Sequence, residues 1–266
     1  MNRRDLSKVI GLGAAASLLA RAQQQSGAMN HPMPAAPENI VMLLYPGMTA
    51  LDLVGPQQVF GYLMGAKVHL VWKNKDIVVS DTGIGIRPSM TFAECPEKVD
   101  ILFAPGGGTG TISAMQDRDV LDFFRQGGKT ATWVTSVCTG SLILAAAGLL
   151  RGYKATSHWS ARNELALFGA EPVAKRIVED RNRITAGGIT SGIDFGLRIA
   201  AKLRGEEYAQ AMELTLEYDP QPPFHTGTPE TAPKPVLAMM TAMYAPLMTS
   251  IRSIAAKTAT EHEGNQ

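Results

Sequence analysis

The chain has 266 residues, of which 45% are hydrophobic and 18% are charged. This is the balance of a globular protein rather than of a disordered or collagen-like one. The 25 Lys and Arg residues nearly cancel the 24 Asp and Glu residues, so no basic excess indicates nucleic-acid binding. The longest apolar run, residues 9–20, is shorter than the roughly 20 residues that a membrane-spanning helix needs. The cysteines Cys95 and Cys138 are too few for a disulfide framework or a four-cysteine zinc site.

The first residues have the pattern of an export signal. Paired arginines at positions 3 and 4 precede the apolar run, and the triplet Ala-Arg-Ala at 20–22 follows it. A charged region, a short apolar region and a small-residue cleavage site in this order are typical of a secretory signal. The paired arginines favour the twin-arginine route. We therefore expect a signal peptide over residues 1–22, a linker over 23–37 and a periplasmic protein. The alternative is a frayed N-terminal helix of a cytoplasmic protein.

From residue 38 onward, strand-like segments alternate with segments of helical periodicity. Continuous apolar runs that end at Pro or Gly are typical of buried parallel strands, whereas apolar residues three and four positions apart indicate amphipathic helices. Strands are predicted over residues 40–45, 68–72, 77–79, 99–104, 130–137 and 155–157, a hairpin over 175–186, and helices over 51–64, 112–126, 140–150, 161–168 and 193–217.

This alternation predicts a single α/β domain over residues 38–235. Its sheet is expected to be doubly wound and mostly parallel, flanked by helices in a flavodoxin-like arrangement. Residues 236–257 have a helical, methionine-rich pattern. We therefore expect a helical extension over 236–266 that packs on the domain or on a second subunit.

Cys138 lies in the segment SVCTG (136–140), between a predicted buried strand and an apolar helix. A nucleophile between a strand and a helix is the arrangement of the nucleophile elbow in G-x-S-x-G hydrolases. The N–H groups and the positive dipole end of a helix N-terminus lower the pKa of a cysteine. The pattern therefore favours a nucleophilic Cys138 with a lowered pKa. A buried apolar cysteine without a catalytic role is the alternative.

Two further segments follow strands at the same predicted edge of the sheet. Gly106 and Gly107 follow the strand over 99–104, and their N–H groups are expected to form an oxyanion-type hole with the N–H of Thr139. A plain glycine turn is the alternative. Asp52 lies between two leucines just past the first strand, which makes it a candidate acid or base. A carboxylate that only favours a helix start is the other interpretation of Asp52.

Six further segments are informative when taken together: LDLVGP (51–56), FAPGG (103–107), TSVCTG (135–140), AGLLRG (147–152), ATSHW (155–159) and LEYDPQPPF (216–224). Together they resemble the DJ-1/PfpI superfamily, which has the class I glutamine amidotransferase-like fold, and within it the isonitrile hydratases. The resemblance covers about residues 40–235.

The resemblance implies a specific reaction, the hydration of an isonitrile, R–N≡C, to an N-substituted formamide. By position, it implies Cys138 as the nucleophile, Asp52 as the acid and base, and Thr139 as the residue that orients water or the isonitrile nitrogen. It further implies a small-molecule substrate, no metal or organic cofactor, and a homodimer.

Other functions of the same fold stay open. PfpI-type proteases pair their cysteine with a histidine, whereas Thr139 follows Cys138 here, and His158 is interpreted as structural. AraC-type regulators carry a related domain, but the segment after Pro235 is too short for their helix-turn-helix module. The main alternative to the hydratase is a DJ-1-like redox or stress-response protein in which Cys138 is oxidised.

Overall fold

The computed structural model describes residues 37–263. The predicted signal peptide over 1–22 and all but the last residue of the linker over 23–37 lie outside the described residues. The residues that are described belong to one compact unit.

The described residues form strands that make up one large sheet and two small ones. The strands are β1 (Asn39–Leu43), β2 (Lys67–Trp72), β3 (Val78–Val79), β4 (Gly85–Ile86), β5 (Met90–Thr91), β6 (Ile101–Ala104), β7 (Trp133–Val137), β8 (Lys154–Ala155), β9 (Glu171–Pro172), β10 (Ile177–Asp180) and β11 (Arg183–Ala186). The centre of the fold is a seven-stranded sheet in the order β10-β11-β7-β6-β1-β2-β5. Six of these strands are parallel, and β10 runs antiparallel to β11 in a hairpin. Two small two-stranded sheets, β3-β4 and β8-β9, lie outside it.

Helices flank this sheet, as the apolar strands require. Every residue of β6 is buried, because a parallel strand at the centre of such a sheet is covered on both faces. The predicted α/β fold with a mostly parallel central sheet is therefore confirmed. The helices are α1 (Ala50–Gly61), α2 (Gly108–Ala114), α3 (Arg118–Thr130), α4 (Gly140–Ala146), α5 (Ser191–Arg204), α6 (Glu206–Thr215) and α7 (Lys234–Glu263), with 3₁₀ helices at Phe92–Glu94 and Arg162–Phe168.

Two of the predicted helices are each divided into two helices in the structure. The helix expected over 112–126 is divided between α2 and α3, where the Asp117 carboxylate caps α3 by accepting from the N–H of Asp119 at 3.1 Å. The helix expected over 193–217 is divided at Gly205, whose φ of 89° no helix tolerates. The apolar spacing is continuous in both segments, but the Asp117 cap and the positive φ of Gly205 end one helix and begin the next.

The helix α7 packs on the domain itself, against α2 and the 3₁₀ helix Arg162–Phe168. Met248, Ile251 and Ile254 on one side of α7 are buried. The guanidinium of Arg252 makes a bidentate ion pair with Glu164, at 2.6 Å in its shorter bond. No helix in the described part of the chain is both long and apolar enough to cross a membrane.

Candidate active site

Three loops at one edge of the sheet carry the predicted site residues. The strands β1, β6 and β7 are adjacent and parallel, and their register pairs Met42 with Phe103 and Ala104 with Ser136. Their carboxyl ends are therefore level with one another. In an open α/β sheet this edge is where ligands bind.

Cys138 joins β7 to α4 in a left-handed conformation, with a φ of 57°. This region of backbone space costs a non-glycine residue on the order of 1–3 kcal/mol and is enriched at active sites. Two carbonyls hold the turn in place, because the N–H of Cys138 donates to the oxygens of Ala186 at 3.0 Å and Gly187 at 2.8 Å. The end of β11 and the residue after it thus hold the backbone of this turn.

Asp52, in the first turn of α1, is fully buried next to this thiol. Burial raises the pKa of Asp52 to about 7, while the Cys138 thiol and the N–H of Gly106 lower it and the charge of Asp81 raises it. The Gly106 N–H donates to Oδ2 at 3.1 Å. The other oxygen, Oδ1, makes no aligned hydrogen bond with any residue between 37 and 263. A carboxyl that titrates near neutrality and lies beside a thiol is equipped to move a proton.

The pKa of Cys138 is raised well above its usual range, so the predicted lowering is wrong. Burial is the main cause, and the negative charge of Asp52 is the second. The backbone N–H of Thr139 at the start of α4 lowers the pKa of the thiol, as a helix N-terminus should, but this does not outweigh the other two effects. The sequence indicated the helix terminus, and it offered burial of the thiol only as the alternative interpretation.

The N–H groups of Gly106 and Gly107 are occupied in this structure, so they do not form the open oxyanion-type hole that was predicted. Gly106 donates to Asp52, and Gly107 donates to Oγ1 of Thr139 at 3.1 Å. Only glycine fits at position 106, because the backbone of Thr139 is so close that a Cβ there would lie 2.6 Å from its nitrogen. The segment therefore positions two site side chains, which is more than a plain turn does.

Thr139 is the first member of a buried chain of hydroxyl groups that the sequence did not reveal. Its Oγ1 lies 2.8 Å from Oγ1 of Thr111, which lies 3.2 Å from the hydroxyl of Tyr45. The Tyr45 hydroxyl donates to the carbonyl of Pro105 at 2.9 Å. Each hydroxyl has one proton, so Tyr45 must accept from Thr111, and Thr111 must accept from Thr139. The proton of Thr139 is therefore directed at Thr111, and the N–H of Gly107 occupies one of the two lone pairs of its oxygen.

A cavity of about 360 Å³ opens onto this arrangement. Cys138, Thr139 and Gly107 line it, whereas Asp52 and Gly106 do not. The far wall includes Tyr244 and Leu247 of α7, which sequence reasoning missed because nothing in a helical pattern at the end of the chain indicates where that helix docks.

His158 also lines the cavity, although it was interpreted as structural. Burial lowers the pKa of His158 to about 4, so the ring is neutral at physiological pH. Its Nδ1 lies 2.8 Å from Oγ of Ser160, and its ring packs 5.3 Å from that of Tyr244. His158 is therefore a neutral wall of the cavity rather than a charged partner of the thiol. Within residues 37–263, no three His, Cys, Asp or Glu side chains cluster in a way that could hold a metal ion.

Comparisons with known proteins agree with this architecture. An isonitrile hydratase of Pseudomonas putida is 49% identical over 199 residues, which cover 74% of this chain and 86% of that protein. A crystal structure of a ThiJ/PfpI family protein from Pseudomonas syringae superposes with a TM-score of 0.81 at 49% identity, covering 85% of this chain and 98% of that one. Drosophila melanogaster DJ-1beta superposes with a TM-score of 0.63 at 24% identity, covering 68% and 98%. The model of the DJ-1/PfpI family matches residues 38–202, and the chain belongs to this family.

Proposed function

We propose that this protein is an isonitrile hydratase, which converts R–N≡C and water to the formamide R–NH–CHO with Cys138 as the nucleophile. The observation that carries the proposal is the buried pair of Cys138 and Asp52, in which the pKa of the carboxyl is about 7 and the thiol lines the cavity. The 49% identity to the Pseudomonas putida isonitrile hydratase supports the same reaction.

The first step needs one proton to move between three atoms. Above a pH of about 7 the pair of Cys138 and Asp52 holds a single proton. As the sulfur bonds to the terminal isonitrile carbon, Asp52 accepts the thiol proton and delivers it to that carbon. The product is a thioimidate, R–N=CH–S–Cys138, with no net gain or loss of protons. In this proposal the left-handed turn at Cys138 serves as a nucleophile elbow.

The second step releases the product by hydrolysis. As water adds to the thioimidate carbon, Asp52 takes one proton from that water and passes it to the nitrogen, so that Asp52 is again a carboxylate. The carbon–sulfur bond then breaks, the new hydroxyl proton returns to the sulfur by way of Asp52, and the formyl group forms. Thr139 contributes as an acceptor, because its own proton goes to Thr111 and its free lone pair can hold a hydrogen of the attacking water.

A redox or stress-response role for Cys138 is the competing proposal for this fold. Oxidation sensors depend on an exposed thiol of low pKa, because the thiolate is the form that oxidants attack. Cys138 is 6% exposed, and its pKa is raised by burial and by Asp52. These properties favour a thiol that reacts only with a ligand in the cavity.

The proposal is tested by incubating the purified protein with cyclohexyl isocyanide and measuring N-cyclohexylformamide. We expect product from the wild type and none above background from Cys138→Ala or Asp52→Ala. The matched control is Cys95→Ala, which removes the other thiol and should leave turnover unchanged, since Cys95 does not line the cavity. A folded, reduced wild-type protein that forms no formamide would contradict the hydratase and favour the redox alternative.

We also propose export through the twin-arginine route, which rests on the sequence of residues 1–22 alone. Cell fractionation tests it: the wild type should be found in the periplasm, and the double variant Arg3→Lys, Arg4→Lys should stay in the cytoplasm. Equal distribution of the two proteins would contradict this route.

A homodimer is our proposal for the assembly state. Leu51 and Val54 on α1 are 43% and 41% exposed, which leaves apolar surface for a second subunit to cover. Light scattering on the purified protein should give twice the mass of the chain, whereas a monomer mass at micromolar concentration would contradict the proposal.

A further inference from the structure

The cavity that Cys138 lines, called the catalytic cavity below, borders a second cavity of about 500 Å³ between α2 and α7. Both cavities are lined by Gly108, Thr109, Tyr244 and Leu247, so the same four residues form a shared wall. We call the second cavity the α2–α7 groove. Its volume is within the range of small-molecule sites.

The lining of the α2–α7 groove is mainly apolar, and its polar side chains are uncharged hydroxyl groups, such as those of Thr109, Ser113 and Ser250. Ile112 contributes from α2, while Met243, Pro246 and Leu247 contribute from α7, and none of the described residues that line the groove is charged. Met243 is 57% exposed although it lies beside a cavity, which leaves apolar surface for a ligand to cover. An unbranched or aromatic hydrocarbon group is the partner that such a surface binds best.

A different chamber, of about 430 Å³, adjoins the catalytic cavity on the other side through His158 and Ile189. It contains Arg162, Lys175 and Arg176, so it would suit a carboxylate on the substrate. Arg176 is already paired with Asp194, however, and Glu230 lies on the same wall as Arg162. The chamber also shares fewer lining residues with the catalytic cavity than the groove does.

We propose that the α2–α7 groove is the specificity site for the R group, and that the preferred substrates are isonitriles with extended apolar R groups. This inference rests on the proposed hydratase function. The isonitrile carbon meets Cys138, and the R group passes between Tyr244 and Gly108 into the groove, where Met243 and Ile112 cover it. The helix α7 thereby determines which isonitriles bind.

The first test is a series of straight-chain alkyl isonitriles from ethyl to octyl. Burial of each methylene is worth up to about fourfold in binding, so kcat/KM should rise with chain length, mainly through KM. In Met243→Glu the octyl substrate should lose at least about tenfold in kcat/KM, because a charge then borders the groove, and the ethyl substrate should change by less than about twofold. Met243→Leu should retain the dependence on chain length.

The matched control is Met239→Glu, which introduces the same charge on the same helix. Met239 is 63% exposed and does not line the groove, so this variant should behave as the wild type does with every substrate. Three results would overturn the proposal: a flat chain-length series, equal effects of the two glutamates, or a preference for a ω-carboxyalkyl isonitrile over the alkyl isonitrile of the same length. The last result would favour the basic chamber.

A binding measurement separates the groove from the hydratase reaction. N-Octylformamide should bind the wild type more tightly than N-ethylformamide does in calorimetry, and Met243→Glu should remove the difference while Met239→Glu retains it. If the wild type hydrates no isonitrile but shows this pattern, the hydratase proposal fails and the apolar site stands. If it hydrates ethyl isonitrile and binds both formamides equally well, the groove proposal alone fails.

Discussion

The proposed chemistry depends on a single proton that Cys138 and Asp52 share. Asp52 loses its proton near pH 7, whereas the thiol retains its own until far above its usual range. Below pH 7 the pair therefore holds two protons, and above it the pair holds one. Only the second state has a carboxylate that can accept the thiol proton as the sulfur attacks.

The pH dependence of hydration follows from this count. We expect kcat/KM to rise as the pH increases through about 7 and then to stay level until the thiol itself ionises. The direction is upward because deprotonation of Asp52 creates the base. This dependence is measured from initial rates of formamide formation with one alkyl isonitrile, at several substrate concentrations and at several pH values around 7. A rate that falls above pH 7 would show that the doubly protonated pair is the reactive form.

Thr111 is predicted to act through Thr139, because it accepts the proton that would otherwise point at the cavity. In Thr111→Val the hydroxyl of Thr139 loses this acceptor at 2.8 Å and is free to rotate. We expect kcat to fall roughly tenfold with little change in KM, since an orienting hydrogen bond is lost and the pocket keeps its shape.

The conservative variant Thr111→Ser should restore the rate, because it retains the acceptor. A loss of kcat in both variants, or a change in KM alone, would mean that Thr111 serves the fold and not the orientation of Thr139. Tyr45→Phe, one hydroxyl further along the chain, should have a smaller effect in the same direction.

The turn from β7 into α4 depends on how closely α4 approaches β6. A Cβ at Gly140 would overlap the carbonyl oxygen of Ala104, which is backbone and cannot move aside. Gly140→Ala should therefore displace the start of α4 together with Cys138. We expect a loss of about 1–3 kcal/mol in the free energy of unfolding and a loss of turnover.

Urea unfolding and the formamide assay measure the two effects in parallel. Gly61→Ala is the matched control, because a Cβ at the end of α1 meets only Nε2 of Gln57 at 3.8 Å and should not reduce stability. If Gly140→Ala and Gly61→Ala have equal free energies of unfolding, α4 can shift away from β6 without loss of stability, and the prediction is wrong.

The strands were more predictable than the helices for a physical reason. A strand such as β6 is buried on both faces, so its sequence is a continuous apolar run that ends where the strand ends. Helix periodicity, by contrast, continues across a break. The break between α5 and α6 depends on the φ angle of Gly205. The break between α2 and α3 depends on the helix cap before Arg118, and the spacing of apolar residues contains no information about a cap.

The site was predictable in part because strand ends meet at one edge. Asp52, Cys138 and Thr139 were identified from their places after strands and from the family resemblance. Tyr45 and Thr111 were not, because hydroxyl groups that only contact one another have no motif. The pKa of Cys138 was predicted in the wrong direction, since burial is a property of the whole fold and not of the segment around it.

The burial of Asp52 also affects the stability of the entire protein. Its pKa is about 7 in the folded state against an ordinary value of 3.8, so the folded state binds this proton more tightly than the unfolded state does. Stability is therefore greatest at low pH for this group, falls as the pH rises from about 4 to about 7, and is then level. At 1.36 kcal/mol per pKa unit the loss amounts to about 4 kcal/mol.

Asp52→Asn removes this dependence, because the amide does not ionise. We expect the variant to be more stable than the wild type above pH 7 and to lose its advantage as the pH approaches 4. Urea midpoints of both proteins at the two pH values measure the difference. A difference that does not change with pH would mean that Asp52 does not titrate between the two values in the folded protein.

The three loops that form the site are far apart along the chain, and this determines when the thiol becomes shielded. Asp52, Gly106 and Cys138 follow strands that pair only through long-range parallel contacts, which form late because closing such loops costs chain entropy. Until β1, β6 and β7 have joined, the nascent chain carries an accessible sulfur of ordinary acidity. Completion of the sheet buries it and places a carboxylate beside it. If the chain is exported only after folding, as we propose, the thiol is already buried when the protein meets an oxidising compartment, and within the described residues it borders solvent at the cavity that it lines.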